Sequence, residues 1–439
     1  MSTAFEHHPQ RITLSNELHA RPFQAMTTPG RVLMLAFKQP SRAAERDPAH
    51  DRAHLLDLLD RFGVAHPPPE ANHHAVDMGR FRLNWERHTE FVSYTLYESG
   101  EASELFQAQL AAHLPGEWLK AAPGMVIAAA QCELIPCGGR DEALRLLADG
   151  PLLRAFSPES LAASWVNNRR LLALGDFRIH EEGYSRFALV QCGSIGPRRI
   201  GRTCQRLMET DVYRTLSMLS FPMARHTASQ LNEIERKLSE MVARVSEADG
   251  EMSDAELLAA LTQLSAGIEA LAADTAFRFG AGAAYEALVK ERIGLLSEER
   301  VEGRQLFREF MLRRYEPAMR TVHAARRRLA DLATRTSRVA QLLRTRVSVA
   351  LEAQNKTLLE SMNRRADLQL RLQRMVEGLS VVAISYYAVS LVDYFMAPLA
   401  MTIGVDKAVP TAIATAPVVF AVWLFVRRLR KRLERSGKD

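Results

Sequence analysis

Gly378-Leu-Ser-Val-Val-Ala-Ile-Ser-Tyr-Tyr-Ala-Val-Ser-Leu-Val-Asp-Tyr-Phe-Met-Ala397 is followed, after a short link, by Val409-Pro-Thr-Ala-Ile-Ala-Thr-Ala-Pro-Val-Val-Phe-Ala-Val-Trp-Leu-Phe-Val426. The first run carries one charge, Asp393, and the second none. A bilayer core about 30 Å thick needs about 20 apolar residues in a helix. The first run meets that length, and flanking residues that snorkel let the slightly shorter second run fit. Pro410 sits in a first turn, where a missing N–H costs little. Pro417 predicts a kink of the kind membrane helices tolerate. The reading is a C-terminal two-helix transmembrane hairpin, residues 378–397 and 409–426.

Working outward, Arg364, Arg365, Arg371 and Arg374 precede the first span. Arg427, Arg428, Arg430, Lys431 and Arg432 follow the second, within a basic tail over 427–439. The link from Pro398 to Ala408 holds one lysine. The positive-inside rule then places both termini in the cytoplasm. The opening MSTAFEHHPQ lacks the apolar core of a signal peptide, which predicts that the large N-terminal part stays there too.

Charge is unevenly distributed. Residues 1–317 carry 36 basic and 42 acidic groups, whereas residues 318–374 carry 13 and 4. The positive excess therefore lies beside the membrane, which favours a bilayer with anionic headgroups as partner. It argues against nucleic acid, whose binding domain should itself be basic. Cys132, Cys137, Cys192 and Cys204 have no CxxC spacing and read as core thiols, with a zinc site on Cys132 and Cys137 as the alternative. The sequence implies no cofactor.

The fold class read from the sequence is α+β. Residues 1–200 form a mixed α/β cytosolic domain, with strands predicted at Val32–Phe37, Phe91–Tyr97, Gly124–Leu134, Leu161–Val166, Leu171–Phe177 and Phe187–Gln191. Helices are predicted at Arg52–Phe62, Ala102–His113 and Asp141–Leu147. Residues 201–377 read as a helical bundle and stalk without strands. One helix is expected over Gly201–Val245, kinked near Pro222, and Ser253 with Glu256 forms a capping box for the next. Gly280-Ala-Gly and Pro317 read as breaks. From Ala318 onward no Pro or Gly occurs until Gly378, so one helix there would extend about 90 Å. Its apolar stripe, Val322, Ala325, Leu329, Leu332, Val339, Leu343, Val347, Leu351, Leu358 and Met362, calls for a partner helix. That partner is either the 201–245 helix or a second copy in a homo-oligomer.

For chemistry, His19, Arg21, Glu86, His88 and Glu90 are the enzyme candidates, since a histidine near a carboxylate can act as acid or base. Read as one strand, Phe81–Phe91 puts Glu86, His88 and Glu90 on one face, which equally fits a structural polar network. His73-His74 with Asp77 could place one imidazole and a carboxylate near a metal, on a segment read as a loop. In the first span Ser380, Ser385, Ser390 and Asp393 are the polar groups available to a pore or to interhelical hydrogen bonds.

Asn16-Glu-Leu-His-Ala-Arg-Pro-Phe and Trp85-Glu-Arg-His-Thr-Glu-Phe resemble signatures of a bacterial family of uncharacterised membrane-anchored proteins, a domain of unknown function. Gln354-Asn-Lys-Thr-Leu-Leu-Glu-Ser-Met and Leu368-Gln-Leu-Arg-Leu-Gln-Arg-Met-Val-Glu-Gly-Leu extend that resemblance over nearly the whole chain. It implies a bacterial inner-membrane protein and supplies no activity. The layout alone resembles CorA-type magnesium channels, but Tyr394-Phe-Met-Ala-Pro stands where their Gly-Met-Asn triplet would be. A membrane-anchored scaffold or regulatory module needs the fewest assumptions. A CorA-like oligomeric channel and an anchored enzyme are the alternatives.

Overall fold

Gly30–Lys38 (β1) is apolar at nearly every position, and both of its faces are covered. Val32, Met34 and Ala36 point into one core, Leu33, Leu35 and Phe37 into another, as the two-residue period of a strand requires. In this computed structural model the strand sits at the centre of a nine-stranded sheet ordered β2-β3-β4-β1-β5-β8-β7-β6-β9. The others are His73–Asp77 (β2), Arg82–Arg87 (β3), Phe91–Ser99 (β4), Met125–Pro136 (β5), Ala162–Val166 (β6), Leu171–Ile179 (β7), Ser185–Gln191 (β8) and Glu299–Arg300 (β9). Among these pairings only β5–β8 is parallel. The structure describes the chain apart from residues 1–5, 13, 16–22, 42–44, 101–104, 107–109, 149, 247–252, 404–407 and 437–439.

Ten α-helices are described. They are Pro48–Phe62 (α1), Gly116–Lys120 (α2), Arg140–Ala148 (α3), Pro151–Arg154 (α4), Pro197–Met218 (α5), Ser220–Ser246 (α6), Asp254–Gly294 (α7), Phe307–Phe310 (α8), Glu316–Ile403 (α9) and Ala408–Ser436 (α10). One sheet face is covered by α5 and α7, through Cys204, Leu207, Met208, Phe279 and Val289, with Met319 and Val322 from the start of α9. On the other face Leu55, Leu58 and Leu59 of α1 and Trp118 of α2 cover one half. Ala143, Leu147 and Leu152 of α3 and α4 cover the remainder. The mixed α+β class holds. Residues 1–340 form one compact unit and 341–439 a second.

Several local expectations are corrected. His73–Asp77 is a strand, not a loop. The region after residue 200 contains β9, which joins the sheet edge beside β6. The 201–245 helix is two: α5 ends at Met218 because Pro222, four residues on, has no N–H for that carbonyl and its ring would strike it. Gly280 and Gly282 do not break α7. A Cβ on Gly282 would lie 2.7 Å from Ser220 Oγ, so glycine there lets α7 approach the α5–α6 junction closely. Pro317 does not end its helix either. Met311–Tyr315 forms a wide turn in which the Glu316 N–H donates to the Met311 carbonyl five residues back, and helix continues on both sides. The first apolar helix also runs past Ala397 to Ile403, so the link is shorter than expected.

The stripe on α9 finds its partner within the chain at its start. Arg328 pairs with Glu235 and Asn232 of α6, and His323 with Glu286 of α7. From Val349 to Val376 the apolar side chains of α9 are exposed.

His54 on α1 shows how tightly the second core is specified. Its Nε2 lies 2.9 Å from the Trp118 carbonyl, which can only accept, so Nε2 carries the proton and Nδ1 accepts from the Tyr94 hydroxyl at 2.8 Å. Burial holds its pKa below the usual 6.5. The unfolded chain therefore takes up a proton near 6.5 that the folded chain resists, and stability falls as pH drops through that value. His74, also lowered by burial, contributes with the same sign. We expect the unfolding midpoint of the full chain to drop between pH 7.5 and 5.5, and to drop less in His54→Gln. An equal slope in both proteins would remove His54 from this role.

Candidate functional site

The Trp85–Phe91 segment is not one strand. β3 stops at Arg87, the His88 N–H donates to the Phe91 carbonyl at 2.9 Å, and β4 returns from Phe91. Residues 88–90 are the turn of a hairpin, and this sends the three candidate side chains to different places. His88 lies flat on Phe91, with centroids 4.1 Å apart, and its Nε2 is 3.4 Å from Glu86 Oε2. Glu90 is 1% exposed. Both of its oxygens accept from the Arg278 guanidinium at 2.7 Å, and Lys38 Nζ stands 3.8 Å away. Burial lowers the Lys38 pKa while Glu90 raises it.

The turn forms one wall of a cavity of about 530 Å³. Arg87 also lines it and donates to Asn72 Oδ1 at 2.5 Å, beside the backbone bond from the Arg87 N–H to the Asn72 carbonyl. Arg46 and Asp51, both buried, form an ion pair behind it, and burial still raises the Asp51 carboxyl above its ordinary range despite Arg46. Tyr213 of α5 and Tyr285 of α7 stack at 5.8 Å on the opposite side, each with its hydroxyl pKa raised by burial. The cavity thus brings His88, Asp51, two arginines and two phenols together. Such a set can bind a polar ligand through hydrogen bonds and stack a planar group against the phenols. His88, with Glu86 Oε2 3.4 Å from its Nε2, is the lining side chain suited to acid–base work.

Other candidates are placed elsewhere. His19 and Arg21 lie outside the described residues. His73 and His74 are neighbours on a strand and therefore face opposite ways, so only His73 shares a face with Asp77. Among the described residues no group of three His, Cys, Asp or Glu is arranged to hold one. Cys132 contacts Cys204, and Cys137 contacts Cys192. Burial pushes the Cys192 thiol up to about 12. Arg278, Lys38, Arg46 and Tyr285 were not singled out by sequence. Arg278 left a trace, as one of only two charges between Thr275 and Val289.

In the second unit Ser380 and Ser390 donate to the Val376 and Tyr386 carbonyls of their own helix at 2.8 and 2.9 Å. Ser385 is buried, with no hydrogen-bond partner for its hydroxyl. Asp393 accepts from the Thr411 hydroxyl of α10. Arg427 lies over the Trp423 ring at 5.0 Å, and Arg428 is exposed. The side chains of Arg430, Lys431 and Arg432 lie outside the described residues.

A family model matches residues 6–433 of the chain. The chain belongs to the family described as "Protein of unknown function (DUF3422)". The match runs through the hairpin, the long helices and both apolar segments, as the sequence signatures implied. No curated protein matches. Among solved structures, the "structure of the full-length CmaX protein" aligns over 76% of this chain and 94% of its own at 12% identity. Its TM-score of 0.18 carries no argument. No comparison supports an assignment to CorA-type channels.

Three helical stretches are long and apolar enough to cross a membrane by length and composition: Asp254–Gly294, Phe307–Phe395 and Thr411–Arg428. The sequence reading had identified only two.

Proposed function

We propose that this protein is a membrane-anchored regulatory or scaffolding module of the bacterial inner membrane. The end of α9 and the body of α10 are its two spans, and the sheet-bearing unit is its cytoplasmic part. The observation that carries this reading is exposure without cover. Leu379 is 76% exposed, Phe395 74%, Ile413 72% and Phe425 67%, so nothing among the described residues shields these side chains from solvent. Lipid supplies the missing cover. We exclude α7 from the spans on physical grounds. Arg278, Glu286 and Arg292 hold ion pairs with Glu90, His323 and Glu209, and Phe279, Val289 and Ile293 lie in the core. Arginines before the first span and after the second keep both termini inside.

Regulation would act through the cavity at the hairpin turn, where a polar ligand meets His88 and Arg87. The exposed stripe of α9 beyond Val349 is the surface we assign to a second copy of the chain. The hydrogen bonds of Ser380, Ser390 and Asp393 favour an anchor over a pore, since those groups are already engaged.

Carbonate washing of membranes from expressing cells should leave the full chain in the pellet, and reporters at either terminus should read as cytoplasmic. Release of the intact chain into the wash would refute the reading.

A further inference from the structure

We propose that the second unit holds a site for one phospholipid of anionic headgroup, its phosphate seated between Arg374 and Arg427. The proposal rests on the membrane reading above. A cavity of about 500 Å³ opens between α9 and α10. Arg374, Glu377, Gly378 and Val381 line it from α9, and Trp423, Val426 and Arg427 from α10. It lies where the apolar runs give way to basic residues on both helices, which is the level of headgroups in a bilayer.

Its chemistry is selective. The Arg427 guanidinium lies over the Trp423 ring at 5.0 Å, and that ring stacks on Phe420 at 5.8 Å, so the cation is oriented before any ligand arrives. A Cβ added at Gly378 would meet no heavy atom within 4 Å, so the wall there is open. Planar guanidinium forks match pairs of phosphate oxygens. Two arginines against the one Glu377 carboxylate leave the lining at +1, which a single phosphodiester neutralises. Phosphatidylglycerol brings no second charge to that lining, whereas a choline headgroup brings a quaternary ammonium beside the two guanidiniums. Val381 and Val426 form the apolar side, on which the upper acyl chain rests.

The full chain, purified in neutral detergent, is offered phosphatidylglycerol, phosphatidylcholine or inorganic phosphate and examined by native mass spectrometry. Flotation with phosphatidylcholine vesicles reads membrane insertion separately. We expect one phosphatidylglycerol retained per chain, no phosphatidylcholine, and no displacement by millimolar phosphate. Arg374→Ala with Arg427→Ala should lower retention about tenfold or more and still float. Arg374→Lys with Arg427→Lys, which keeps charge and loses the fork, should fall between, and serves if the alanine variant fails to float. Equal retention by wild type and variants overturns the site, as does displacement by free phosphate, which would make it an inorganic-anion site. Failure of the wild type to float overturns the membrane reading itself.

Discussion

Glu90→Ala should destabilise the protein by about 3–5 kcal/mol, the usual cost of breaking a buried ion pair from one side. Glu90 is buried, and its fork with Arg278 ties the hairpin turn to α7 across 188 residues of sequence. Removing the carboxylate leaves Arg278 and Lys38 as two like charges in a largely buried site. Lys38, already lowered by burial, would lose the one neighbour that raises its pKa and would shed its proton more readily. Denaturant unfolding of the full chain, followed by tryptophan fluorescence, measures the effect, since Trp85, Trp118 and Trp165 all lie in the cores of the same unit. Replacing both partners, Glu90→Met with Arg278→Met, should recover most of the loss, because apolar pairs of similar volume often substitute for buried ion pairs without penalty. A loss below about 1 kcal/mol for Glu90→Ala would mean that water reaches the pair.

Gly201→Ala should be the next most damaging, at about 1–3 kcal/mol or more. Gly201 lies in the first turns of α5, and a Cβ built there would overlap the Gln24 carbonyl oxygen. The obstruction is backbone, held by the Met26 N–H donating to the Pro197 carbonyl at 3.1 Å, so no side chain can swing aside. Either α5 lifts from β1 and β5 or the extended segment at 24–26 yields. Gly267→Ala is the control, since its Cβ would meet open space. There, alanine should stabilise α7 slightly through helix propensity. Parallel thermal melts of the two variants check the contrast, and similar melting of both would show that the close approach is not fixed.

The central strands were legible because they are covered on both sides. Val32–Phe37 and Leu171–Phe177 are near-continuous apolar runs, and the sequence marked them within two residues of their observed ends. β2 escaped because it is the edge strand, where half the side chains stay polar, and β3 was read as part of one longer strand over Phe81–Phe91. The turn at 88–90 was hidden for a related reason: polar alternation continues through Glu86, His88 and Glu90 whether the backbone goes straight or reverses. Gly280 and Gly282 read as a break because sequence reports flexibility but not the neighbour, here Ser220, that demands a missing side chain. Of the candidate site, the motif around His88 was visible. Its counterparts Arg278 and Tyr285 lie about 190 residues away, and only the fold brings them to it.

The wide turn at Met311–Tyr315 bears on which insertions and deletions the gene can tolerate. It holds a surplus residue, and that surplus lets Pro317 sit within a continuing helix. Deleting one residue there would bring the pyrrolidine ring onto the carbonyl four positions earlier and split the helix. Deleting it together with Pro317→Ala would yield an ordinary helix. Segment length and the identity of residue 317 must therefore change together in any descendant of this sequence.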